Sequence, residues 1–186
     1  MRQYPNAAEG LRLMFIGQIL AIVSVVLLWV PFVGALLSLA AIVAVLAGIY
    51  KAGMDDENYR GALAFAAVNL LISLVFSVLQ VMQISGLLAD VLDVASDILS
   101  LLMVYVVCNT TSNLLHSLGN ETLSQRGQTI IKIYAVCTVI SIVCRVLGII
   151  PIINIAAKLV SVVAALVQLV GGIMFILFLY SSSKVL

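Results

Sequence analysis

Charge is scarce in this chain: only 9% of its 186 residues are Asp, Glu, Lys or Arg, where an ordinary soluble domain carries about a quarter. The nine basic residues almost cancel the eight acids. A nucleic-acid partner requires a surplus of cations to displace the counterions of phosphates, so that class is excluded. A basic tail for anionic lipid is missing for the same reason. Histidine occurs once, as His116, and neither an HExxH pair, a nucleophile with its base, a Walker loop nor a dinucleotide fingerprint accompanies it. The expectation is therefore a non-enzymatic protein without cofactor or metal. Three cysteines, Cys108, Cys137 and Cys144, lie inside apolar segments with no CxxC spacing. They read as small packed hydrophobes rather than ligands or disulfides.

What the chain has instead is apolar surface: 64% of residues are hydrophobic and the mean hydropathy is +1.27. Water is not its main solvent. The first apolar run, 13–30, exceeds the roughly 7 to 15 residues of a secretion-signal core and ends in Trp29-Val30-Pro31 without a small-residue cleavage site. It reads as a retained helix.

A membrane-spanning helix needs roughly 20 mostly apolar residues, and the breakers cut the chain into six such spans at about 8–30, 33–51, 59–83, 87–118, 121–147 and 152–183. Pro31 stops the first, since a helix interior needs the amide proton that proline lacks. Ala52 to Asn58 carries Asp55, Asp56 and Glu57 in a row and forms the clearest aqueous loop. Ser85-Gly86, Gly119-Asn120 and Gly148 with Pro151 supply the other turns. The expectation is an all-α, polytopic transmembrane bundle of six helices as three helical hairpins, forming one domain over 1–186. Gly10, Gly61 and Gly127 each precede an apolar helix, and a turn follows about 24 residues later at Gly34, Gly86 and Pro151, which has the look of a degenerate repeat.

Lys and Arg favour the cytoplasmic side of short loops. Six spans put Arg2, Arg12, Lys51, Arg60, Arg126, Lys132 and Lys184 on one side, against Arg145 and Lys158 on the other. Both termini are then cytoplasmic. Short loops and the lack of processing signals suit a bacterial cytoplasmic membrane.

Polar side chains are costly in hydrocarbon unless they face protein or water, so their spacing marks the inner face of each helix. Asn69, Ser73, Ser77 and Gln80 form such a stripe on helix 3; Tyr134, Thr138, Ser141 and Arg145 on helix 5; Asn154, Lys158, Ser161 and Gln168 on helix 6; Asp90, Asp93, Asp97 and Ser100 on helix 4. Helices 1 and 2 carry little beyond Gln18 and Ser38 and read as packing elements. Small residues at Gly34, Ser38 and Ala41 on helix 2 permit close helix approach, serving an internal contact, a partner protein or a homo-oligomer.

Asp90, Asp93 and Asp97 precede the polar run 109–113 by only eleven residues. At about 1.5 Å per residue, eleven residues cover roughly 17 Å of a core about 30 Å thick, so part of the stripe lies at membrane depth. Arg145 and Lys158, the two cations that break the charge bias, fall on the same side and can pair with these acids. The cluster reads either as a fastening of helices 4 to 6 or as the lining of a cavity for a small polar solute or ion, with Asn69, Ser73, Ser100, Thr138, Ser141, Ser161 and Gln168 as its polar interior. The alternative function is a non-enzymatic scaffold or accessory subunit of a larger membrane complex.

Six helices in under 200 residues, small-residue faces and a polar outward cavity resemble, in architecture, the substrate-binding components of bacterial vitamin importers. The alanine pattern of that family's first helix falls here on helix 2, at Ala40 and Ala44.

Overall fold

A computed structural model of the chain describes residues 3–30, 32–82, 87–148 and 154–186. It contains six long helices: α1 (Pro5–Val26), α2 (Val33–Ala52), α3 (Tyr59–Val81), α4 (Leu87–Ser117), α5 (Glu121–Gly148) and α6 (Asn154–Val185). No strand occurs among the described residues. All six are long and apolar enough to cross a membrane, which makes the chain a multi-pass membrane protein in character.

The helices begin and end where local chemistry dictates. α1 starts at Pro5, three residues before the position expected from hydropathy, because proline's fixed φ and missing N–H suit the first helical turn. Its free amides are met from outside: the Asp55 carboxylate in the α2–α3 loop accepts from the Ala7 N–H at 2.8 Å and from the Asn6 side chain at 2.7 Å. α1 then gives way at Leu27–Trp29 to a single tight 3-10 turn. Phe32, which enters α2, holds a φ of +69°, a region that costs an aromatic residue about 1 kcal/mol or more.

α4 closes at Gly119, whose φ of +75° lets its N–H reach the His116 carbonyl at 2.9 Å and the Asn120 N–H reach that of Leu115 at 2.9 Å. This is a glycine-terminated cap that satisfies the last carbonyls. The Asn120 side chain then accepts from the Leu123 N–H at 3.2 Å to open α5.

Each helix packs on the next, and α6 returns to α1, so the six form a closed ring. Named contacts run in opposite directions along neighbouring helices. Gly10 meets Gly48 and Ala52, while Gly17 meets Ala41 and Val45. Tyr59 meets Thr111, and Asn69 meets Ser96 and Ser100. Gly127 meets Phe178, and Gly171 meets Ile133 and Tyr134. Phe15 stacks obliquely on Tyr180 with ring centres 5.1 Å apart, and the Tyr4 N–H donates to the Leu186 carbonyl at 3.3 Å.

The core is concentrated at one end of this ring. Leu11, Ile49, Tyr59, Val107, Leu115, Ile130 and Leu179 are fully enclosed there. All lie toward the α1, α3 and α5 starts or the α2, α4 and α6 ends. A Cβ at Gly10 or Gly127 would collide with neighbouring backbone or with Ser112 and Phe178, so glycine is what allows α1 onto α2 and α5 onto α6. Gly61, the third member of the sequence pattern, is exposed, with its nearest neighbour 4.0 Å from a notional Cβ. The three glycines are alike in sequence context and unlike in packing.

Candidate functional site

The charged stripe of α4 meets α5 through Arg145. Its guanidinium lies 3.3 Å from Asp93 and 3.1 Å from Asp97, so one cation bridges two carboxylates set one helical turn apart. That spacing puts both acids on one face of α4, within the span of a forked donor. All three side chains are partly exposed, and the charge left over is a single negative one. The side chains of Asp90 and Lys158 lie outside the described residues.

A second polar junction joins α3 to α4. Asn69 donates to the Ser100 hydroxyl at 3.1 Å and accepts from Ser96 at 2.6 Å, which uses both ends of its amide. Ser96 belongs to this junction outside the expected polar stripe of α4; it lies four residues before Ser100, on the same helical face. Ser73 and Ser77 donate back to the carbonyls of Asn69 and Ser73 on their own helix, at 2.9 Å and 2.8 Å. Their hydroxyl protons are thereby satisfied, while their acceptor lone pairs stay available.

Asn69 and Ser73 also face a cleft of about 270 Å³ whose other polar members are Gln18 of α1 and Ser38 of α2. Ile42, Val45, Leu70 and Met103 supply apolar walls. Two amides and two hydroxyls thus converge from three helices on one space, and no charged side chain lines it. Helices 1 and 2, assigned a packing role from their composition, contribute half of this polar set.

Gln18 lines a further cleft of about 350 Å³ on the other side of α1, shared with Tyr134, Gln168 and Gly172. Gln168 is thus brought opposite Gln18, while Thr138 is buried and Ser141 and Ser161 are half-buried in the walls of α5 and α6. A deep glutamine in an otherwise apolar helix was the available signal for Gln18, because an amide there is expensive without a polar neighbour or water. Of the small-residue face of α2, Gly34 and Ala41 are buried, Ser38 is exposed to the first cleft, and the backbone at Ala41 packs against Gly17.

The closed end carries a different kind of polarity. Tyr59 and Thr111 share a hydrogen bond of 2.7 Å inside the core, and Ser112 donates to the Ser124 carbonyl at 3.0 Å. Lys51 pairs with Glu9 at 2.6 Å, and Arg60 with Glu57 at 3.1 Å, at the rim. No group of His, Cys, Asp and Glu among the described residues is arranged to hold a metal ion. No protein-family model, no curated protein and no solved structure matches this chain.

Proposed function

We propose that the protein is a non-enzymatic, multi-pass membrane protein that binds or passes a small, neutral, polar solute. The observation that carries this reading is the convergence of Gln18, Ser38, Asn69 and Ser73 on one uncharged cleft within an apolar ring. Gln18 and Ser38 supply donors and acceptors there without a fixed charge, Ser73 offers its acceptor oxygen, and Asn69, already bonded to Ser96 and Ser100, offers its second N–H. They match a polyol or an amide better than an ion, whose charge would find no counter-charge in that lining. The Arg145, Asp93 and Asp97 cluster fits a fastening of α4 to α5 in this reading, since its one cation is engaged by both carboxylates within the chain.

The polar interior expected for helices 3 to 6 is thereby extended to α1 and α2. Three helical hairpins with both ends in the cytoplasm, in a bacterial inner membrane, complete the proposal. The orientation rests on the charge bias of Arg12, Lys51, Arg60, Arg126, Lys132 and Lys184 toward the closed end, and the choice of membrane on the short loops.

The test is solute entry into proteoliposomes containing the intact protein, followed by light scattering with glycerol, urea and larger polyols. Entry above that of empty vesicles, lowered several-fold by Gln18→Leu, is expected. Equal entry with and without the protein across the series contradicts the reading.

A second reading, an accessory subunit, is favoured by the first half of α6, where Leu159, Val162, Val163, Leu166 and Leu169 are each about 60% or more exposed. Such a helix accepts another protein as readily as lipid. Recovery of a stoichiometric second protein from native membranes, together with inert proteoliposomes, supports that alternative, with the α2 face at Gly34, Ser38 and Ala41 as another candidate contact.

A further inference from the structure

A groove of about 160 Å³ lies between α5 and α6 near the closed end, lined by Arg126, Ile130, Met174, Leu177, Phe178 and Ser181 with Leu123. Its polarity is graded. Arg126 and Ser181 are the polar members, and the remainder is apolar. On α5, Ile130 stands four residues beyond Arg126, and on the oppositely running α6, Met174 stands seven residues before Ser181. At 1.5 Å per residue Ile130 and Met174 therefore lie about 6 to 10 Å deeper along the helices than the cation and hydroxyl, with Leu177 and Phe178 between them, while Leu123 lies about one turn outward of Arg126.

Arg126 is exposed and, like Arg12 and Lys132, makes no ion pair among the described residues; of these three it is the one that lines the groove. A cation near the outer end of a groove whose inner wall is hydrocarbon has the shape of an amphiphile's complement: an anionic head outside and an acyl chain within. An exposed cation without a partner on the surface of a membrane helix satisfies its hydrogen-bonding capacity best with phosphate oxygens.

We propose that this groove is a binding site for an anionic phospholipid, with Arg126 and Ser181 holding the head-group phosphate and one acyl chain lying along Leu177, Ile130 and Met174. The site differs from a basic tail in needing only one cation, because the groove supplies the remaining contact. It is separate from the solute cleft, which shares none of its residues.

The experiment is native mass spectrometry of the full chain released from mixed micelles containing equal phosphatidylglycerol and phosphatidylcholine. Preferential retention of phosphatidylglycerol is expected, reduced about fivefold by Arg126→Gln, the factor corresponding to one basic residue at an anionic membrane surface. Lys132→Gln, which removes the same charge from the same helix outside the groove, should leave retention unchanged. Leu177→Trp, which fills the apolar half and keeps the cation, should lower it as well. Equal retention of the two lipids, an unaffected Arg126→Gln protein, or equal loss with Lys132→Gln overturns the site. Competition by inorganic phosphate alone as effective as by the lipid assigns Arg126 to a simple anion and also overturns it.

Discussion

One half of α6 is packed tightly among its neighbours and the other is not. From Gly171 onward the helix is built into the bundle: Phe175, Phe178 and Leu179 are buried, and Gly171 lets α5 approach. From Leu159 to Val170 nearly every side chain is exposed around the whole circumference, and Ala164 is the one buried position. The exposed half is the more apolar of the two, Leu, Val and Ala throughout apart from Ser161 and Gln168, so hydrophobicity does not explain the contrast. Shape does. The closed end has glycines and small hydroxyl residues at helix contacts, at Gly10, Gly48, Ser112 and Gly127, and close backbone approach drives association where hydrophobic burial gains nothing over lipid. The other end has bulky Leu and Val instead, and is joined by polar pairs across α3, α4 and α5.

That contrast predicts unequal sensitivity to substitution. The largest effect is expected at Gly127, where a side chain would meet Ser112 and, at 2.9 Å, the Phe178 ring. Gly127→Val should cost about 3 kcal/mol, read as a lowered unfolding temperature in detergent or failure to accumulate. Gly61→Val, at the matching place in the sequence pattern but with open space, should change stability by no more than about 0.5 kcal/mol. Similar losses at both would erase the distinction between closed end and periphery.

A smaller effect is expected at the open end. Arg145→Leu leaves Asp93 and Asp97 facing each other without their cation. Because the three side chains are partly exposed, solvent tempers the penalty to about 1 to 2 kcal/mol. The double change Asp93→Asn with Asp97→Asn in the Arg145→Leu background should recover most of it, measured by the same unfolding curves. If Arg145→Leu is silent, the cluster does not fasten α4 to α5.

Much of this arrangement was legible in the sequence. An acidic loop and a glycine cap act locally, and they located the end of α2, the start of α3, the end of α4 and the start of α5 to within a residue or two; the turns expected at Pro31, Ser85-Gly86 and Pro151 lie outside the described residues. Of the charged cluster, Arg145 does meet Asp93 and Asp97, whereas Asp90 and Lys158 have side chains outside the described residues. Partners across helices were harder. Periodicity says which face of a helix is polar but not which neighbour it meets, so the Tyr59–Thr111 bond, the part of Ser96 beside Asn69, and the capping of α1 by Asp55 went unseen. The same limit hid the contribution of α1 and α2 to the cleft: Gln18 gains its meaning only when ring closure sets α1 between two clefts. The glycine pattern misled in the opposite sense, since identical spacing gave tight packing at Gly10 and Gly127 and none at Gly61.

If the ring is sealed at one end and the cleft beyond the seal is open to water, its two ends differ in their reach to reagents in solution. The measurement is the rate at which a membrane-impermeant, water-soluble thiol reagent modifies single cysteines at Ser73 and Thr111 in a background with Cys108, Cys137 and Cys144 replaced by alanine. The cysteine at Ser73 should react readily and the one at Thr111, buried in the core, should not. Equal protection of both positions, or faster reaction at Thr111, would contradict the account.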